Sequence, residues 1–242
     1  MSSNILPVII LNGRPAAGKS EVIDYLKKTT LNGRIERFHV GEYDEIDDFP
    51  ILWERFEDDE MYEKMGMGRF ISDKNFYFKD NRFWHFLIRK LNVRYARLLR
   101  DDPFYHNSRT ALVEFSRGSE HGGFTEAYGH LSDEILGRAA ILYIKVSYEE
   151  SVRKNRRRFN PDRPDSILEH GLSDDKMEKM YKDSDWEELT AGDPGFIRVR
   201  DFKVPYGVFD NEPEKTDKPE VLGKHLEEVL QDLWNRKTGA GP

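Results

Sequence analysis

The stretch ILPVIILNGRPAAGKS, residues 5–20, decides the fold. Its first half, residues 5–11, is a short β-branched apolar run that leads directly into a glycine, which is how a buried parallel strand reads. Pro7 fits only near the start of such a strand. Its second half meets the pattern G-x-x-x-x-G-K-[ST] with Gly13, Gly18, Lys19 and Ser20. Glycines let backbone N–H groups turn inward around an anion, and a helix N-terminus adds a favourable partial charge. Lys19 brings a full positive charge to β- and γ-phosphates, and Ser20 a hydroxyl ligand for Mg²⁺. The loop of Gly13, Arg14, Pro15, Ala16, Ala17, Gly18, Lys19 and Ser20 is therefore expected to hold the phosphates of a nucleoside triphosphate, ATP. A turn that merely joins two elements would need neither Lys19 nor Ser20.

Outward from the loop, Val22, Ile23 and Leu26 recur at helical spacing, and the pattern stops at Asn32 and Gly33. Residues 34–40 form a weak strand candidate; residues 110–115, 139–146 and 203–209 read as further strands. Between them, Phe83, Phe86, Leu87, Leu91, Leu98 and Leu99 form an apolar stripe within residues 81–100. Ser147 and Glu150 have capping-box spacing, so a helix is expected there, and residues 219–234 carry a last helical pattern. Strands alternating with helices predict a three-layer α/β/α domain: a parallel sheet of about five strands with helices on both faces. Residues 1–237 are expected to form one domain. Residues 42–79, acidic and aromatic, read as an insertion on the substrate side; residues 158–175, with Pro161, Pro164 and Gly171, as a mobile loop; and residues 238–242 as a disordered tail.

Composition narrows the function classes. The chain has 242 residues, no cysteine and a net charge of −7. Disulfides, thiolate metal sites and a cysteine nucleophile are excluded. A generic nucleic-acid binder needs a cationic surface, which this balance does not supply. No apolar run approaches the length of a membrane span and no signal segment opens the chain, so a cytoplasmic protein is expected. His121 and His130 are not at helical ligand spacing, which leaves the Mg²⁺ brought by ATP as the one metal implied.

Glu114 lies at the carboxyl end of the strand at residues 110–115, followed by Ser116, Arg117 and Gly118. Ligands of open α/β sheets gather at such strand ends. A carboxylate in an apolar run needs a partner, and Mg²⁺ or the proton of an attacking hydroxyl suits. Arg153 and Arg157 stand four apart, on one face of the helix that Ser147 begins. The phosphate loop and these segments, in this order, resemble the nucleoside and nucleotide kinase branch of P-loop proteins. That resemblance implies that Arg117 faces the substrate or the transferred phosphate, and that Arg153 and Arg157 precede a LID loop and stabilise the transferred phosphoryl group. It further implies that Arg163 closes over ATP, and that an acid after the second strand, Asp44 among Glu42, Asp47 and Asp48, serves as general base. The spacing around Glu114 differs from both familiar versions, Asp-Gly-x-Pro-Arg and Glu-Arg-Ser.

The resemblance implies a kinase that transfers the γ-phosphoryl group of ATP to a nucleoside, a nucleotide or a related hydroxyl or phosphate acceptor. The alternative is a P-loop ATPase or nucleotide-dependent switch. The chain lacks the Asp-x-x-Gly and Asn-Lys-x-Asp patterns of GTPases, and Phe115 stands where a motor ATPase pairs a second acid with Glu114.

Overall fold

The computed structural model describes residues 4–158 and 171–239. The expected LID-like loop falls mostly outside these, and Arg163 with it; Ala240 to Pro242 of the expected tail lie outside as well. In chain order the elements are β1 (Val8–Gly13), α1 (Lys19–Lys28), α2 (Leu31–Phe38), β2 (Glu42–Asp47), α3 (Phe49–Lys64), α4 (Arg82–Asp101) and β3 (Arg109–Phe115). Then come α5 (Gly123–Gly129), α6 (Asp133–Leu136), β4 (Ala139–Lys145), α7 (Tyr148–Arg158), α8 (Asp174–Tyr181) and α9 (Trp186–Thr190). β5 (Phe196–Val199), β6 (Phe202–Asp210) and α10 (Pro219–Thr238) close the chain.

β1 is buried at all six positions and runs parallel to β3 on one side and β4 on the other. Because successive side chains point to opposite faces, Val8 and Ile10 enter one apolar core while Ile9 and Leu11 enter the other. The first core is closed by α4, α5 and α8, with Leu87, Leu91, Phe124 and Met177 among its members. The second is closed by α1, α2 and α10, with Val22, Phe38, Leu226 and Leu230. The sheet order is β2-β3-β1-β4-β6-β5. Five strands are parallel, as expected; β5 adds an antiparallel edge against β6. A phosphate-loop sequence after the central strand of this sheet, with helices on both faces, makes this a three-layer α/β/α P-loop fold.

Two expectations need correction. Residues 34–40 are not a strand. Thr30 caps a helix there, its side chain accepting from the Gly33 N–H, and His39 ends it in the left-handed conformation (φ 53°). The second strand is instead the acidic EYDEID of β2, the segment expected to start the insertion. It is an edge strand, and charge on an edge strand blocks pairing with other chains. In α4 the buried stripe is Trp84, Leu87, Ile88, Leu91 and Tyr95, whereas Phe86 is exposed.

Beyond β2, α3 and a turn closed by the Ser72–Phe78 bridge lead into α4. Asp59, fully buried, holds that turn by accepting from the N–H groups of Phe70, Ile71 and Ser72 and from the Ser72 hydroxyl. Phe78 packs edge-on against Trp84 of α4, ring centroids 4.9 Å apart.

Candidate active site

The loop between β1 and α1 is shaped by two glycines that tolerate no side chain. At Gly13 (φ 155°) a Cβ would lie 2.6 Å from the Ile144 carbonyl oxygen; at Gly18 (φ 117°) it would lie 2.7 Å from Asn211 Nδ2. Gly18 is the N-cap of α1 and supplies no side-chain hydrogen bond. The first N–H groups of the helix therefore stay available to an anion. Residues far along the chain brace the loop from behind. Asn211 Nδ2 donates to the Ala17 carbonyl (2.7 Å) and to Thr216 Oγ1 (3.0 Å), and Ser151 Oγ donates to the Pro15 carbonyl (2.7 Å).

Lys19 is nearly buried, at 8% exposure. Its Nζ donates to Ser116 Oγ at 2.8 Å and to the Arg14 carbonyl at 3.3 Å, and stands 3.8 Å from Glu114 Oε1. Ser20 follows in the exposed first turn of α1. Parallel pairing sets Asp47, the last residue of β2, directly beside Glu114. Burial pushes the Asp47 carboxyl up to about 8, and the neighbouring charges of Glu114 and Asp48 add to the shift. Burial raises Glu114 too, while Lys19 and, more weakly, Arg158 draw it back. Two like carboxylates side by side in a dry strand end favour sharing a proton. Ser20, Glu114 and Asp47 are hard oxygen donors, the chemistry that Mg²⁺ takes.

Arg117 does not face this space. It is buried at 3% exposure, 2.7 Å from Asp48, with its remaining donors on the carbonyls of Ser116 (2.6 Å) and Trp84 (3.2 Å) and its guanidinium 5.2 Å from the Trp84 ring centroid. The expectation that it meets substrate is corrected: Arg117 neutralises Asp48 and ties β3 to α4. Asp44 is also elsewhere. Opposite Ala111 in the register, three residues short of Asp47, it accepts from Arg109 (2.9 Å) and Tyr105 (2.8 Å). Asp47 and Asp48 occupy the position expected for Asp44.

Arg153 and Arg157 do share a face of α7, and both reach Glu214, at 3.2 and 2.9 Å, beside the buried Lys154 at 2.9 Å. They fix the loop after β6 that carries Asn211 and Thr216, and do not converge on Lys19. The face of α7 that meets the phosphate loop is the one bearing Ser151, and Arg158 lies seven residues further on that face. Arg14 turns its guanidinium away from the loop onto the Tyr181 carbonyl at the end of α8.

Sequence reasoning missed Asp47 as the strand-end acid, and Ser116, Ser151, Asn211 and Thr216 as braces. A signal existed for the first alone: Asp47 stands near the end of an acidic segment as Glu114 stands near the end of its strand. It also paired no metal ligands with His130. Glu126 and His130 stand four apart, and with His85 of α4 their ligand atoms lie within 4.8 Å of one another. Arg89 Nη2 is 3.4 Å from His130 Nδ1, placing a full positive charge where a metal ion would compete, so the cluster reads as a polar contact between α4 and α5.

No protein-family model matches the sequence, and no curated protein does. Among solved structures the chain is similar to a protein of Thermus thermophilus, at 18% identity over 94% of this chain and 97% of that one, with a TM-score of 0.44. It is similar to a sugar kinase of a Janibacter species (10% identity, 93% and 94% covered, TM-score 0.38). A shikimate kinase of Acinetobacter baumannii solved with shikimate follows (15% identity, 72% and 75% covered, TM-score 0.32). Identities and scores this low carry no argument, and the fold assignment rests on the strand order and loop of this chain itself.

Proposed function

We propose that this chain is an ATP-dependent small-molecule kinase, moving the γ-phosphoryl group of ATP to a hydroxyl-bearing acceptor of the nucleoside, nucleotide or related class. What carries the reading is the meeting of Lys19, Glu114 and Asp47 at the carboxyl ends of the strands, a cation for phosphate beside a carboxylate for a proton. Phosphoryl transfer asks chiefly for positioning and charge stabilisation, and the site offers both. The loop N–H groups and Lys19 take the β- and γ-phosphates. Lys19 leaves Ser116 and Glu114 to do so, and both lie within 4 Å of it. Ser20 and Glu114 would hold Mg²⁺, which offsets charge on the β- and γ-phosphates. Asp47 takes the proton of the acceptor hydroxyl as its oxygen bonds to the γ-phosphorus and the bond to the bridging oxygen of ADP breaks. Arg158, on the face of α7 turned to the loop, adds positive charge beside the transferred group.

The test is ATP labelled at its γ-phosphorus, incubated with pools of nucleosides, nucleotides, sugars and amino alcohols. Label is expected in an organic product only when the matching pool is present. Steady release of inorganic phosphate, unaffected by every pool, would instead make the protein an ATPase or switch.

A further inference from the structure

The ammonium of Lys19 stands among three oxygens of unequal pull. Nζ donates to Ser116 Oγ at 2.8 Å and to the Arg14 carbonyl at 3.3 Å, while Glu114 Oε1 is 3.8 Å away, beyond hydrogen-bond reach. Glu114 is the one acidic group of the three, and beside a nearly buried lysine a carboxylate is the strongest of these acceptors. Yet the close contact goes to the neutral hydroxyl. Glu114 and Ser116 stand two apart where β3 runs out, so their side chains leave the chain on the same side and Lys19 reaches both.

The residues after Ser116 fix where its hydroxyl sits. Arg117 Nη1 donates back to the Ser116 carbonyl (2.6 Å), while its Nη2 is held by Asp48 (2.7 Å) and by the Trp84 carbonyl (3.2 Å). At Gly118 a Cβ would run into the Met180 carbonyl near the end of α8, so the chain passes there in close contact. The Ser119 N–H then donates to the Asp183 carbonyl at 3.0 Å. Ser116 is thus presented to Lys19 by a segment tied to α4 on one side and to the end of α8 on the other.

We propose that Ser116 is a positioning residue for Lys19: its hydroxyl holds the ammonium in the phosphate loop and off Glu114, so that an arriving triphosphate takes Lys19 from a neutral partner and not from a closed ion pair. The inference rests on the reading of residues 13–20 as a phosphate loop. Without the hydroxyl, Lys19 closes onto Glu114. Parting a buried ammonium from a carboxylate in contact with it is costly, and the phosphates would have to offset that cost. Ser116 therefore acts through the competition of Glu114 and phosphate for one ammonium, whereas Ser151 and Asn211 bond to the main chain of the loop.

The experiment is titration calorimetry of ATP with Mg²⁺ into wild type, Ser116→Ala, Ser116→Thr, Glu114→Gln and the double variant Ser116→Ala with Glu114→Gln, each checked for fold by circular dichroism. Ser116→Ala is expected to bind about ten-fold more weakly than wild type, and Ser116→Thr, which keeps the hydroxyl, within about two-fold of it. In Glu114→Gln the competing charge is gone, so adding Ser116→Ala should cost less than about two-fold. Wild-type affinity in Ser116→Ala, an equal loss in Ser116→Thr, or the same loss from Ser116→Ala in both backgrounds would overturn the inference while the phosphate loop stands. The last result is what a merely structural hydroxyl gives. Should Ser116→Ala not fold, Ser116→Cys, of similar size and with a weak acceptor, takes its place in both backgrounds. A folded wild type that binds no ATP would overturn the inference and the phosphate-loop reading together.

Discussion

At the end of β2, Asp47 is both the last strand residue and the neighbour of Glu114, and for this reason it is the acid proposed as the base. Asp47→Asn keeps the shape and the contact to the Phe49 N–H but cannot take a proton. It should lower kcat for transfer by about 10²–10⁴-fold with KM for ATP little changed. Asp44→Asn, three residues back and bound to Arg109 and Tyr105, should leave kcat within about three-fold. Steady-state kinetics of the two variants side by side check this; equal losses would place the base elsewhere. The sequence shows five acids from Glu42 to Asp48 with no apolar alternation, because β2 is an edge strand. Which of them ends the strand depends on its pairing with β3, a contact between residues more than sixty positions apart that composition does not encode. The role of Arg117 is hidden for a related reason. Its proximity to Glu114 in sequence is plain, but that Asp48 and the Trp84 carbonyl reach it first is a tertiary fact.

The loop from Gly118 to His121 joins β3 to α5 and packs under α8. His121 is its buried anchor, with its ring 4.0 Å from that of Trp84 and Nδ1 accepting from the Gly118 N–H at 3.3 Å. Burial, with Arg117 adding, pushes its pKa down to about 3. A folded-state pKa below the unfolded value near 6.5 means the unfolded chain takes the proton first. The stability that His121 contributes is thus present above about pH 6.5 and is lost as pH falls toward 3. Between pH 7 and pH 5 the loss is on the order of 2 kcal/mol. Urea unfolding of wild type and His121→Gln should diverge in slope against pH over that window, wild type losing stability relative to the variant as pH falls from 7 to 5. Parallel curves would mean that the ring is solvated in solution. Asp47 acts with the opposite sign, its raised pKa costing stability as pH rises toward 8, so the difference between the two proteins isolates His121. At this scale β1, its loop and α1 were legible because strand, turn and helix follow within one local stretch. The capping box also placed the start of α7, where Ser147 Oγ accepts from the Glu150 N–H at 3.2 Å. α2 was not legible: Asn32 and Gly33, which have the look of a helix end, lie inside a helix held by Thr30 and by burial of Phe38 against the second core.

Across the whole molecule, the parallel strands of the six-stranded sheet bring the phosphate loop and the acids Glu114 and Asp47 together at their carboxyl ends. The loop after β1 is braced from α7 and from the segment after β6, and the acids stand at the ends of β2 and β3. The surplus negative charge lies in residues 42–80, and the rest of the chain is close to neutral. No helix among the described residues is long and apolar enough to cross a membrane. The braces bring residues 151, 211 and 216 to the loop at 15–18, an organisation no local pattern contains. Everything proposed for this architecture depends on that loop taking a triphosphate through Lys19. The most direct measurement is titration calorimetry of ATP with Mg²⁺ into wild type and Lys19→Ala, with far-ultraviolet circular dichroism to show that both are folded. Wild type should bind, and the variant should bind at least about 100-fold more weakly; equal affinity in two folded proteins would contradict the phosphate-loop assignment.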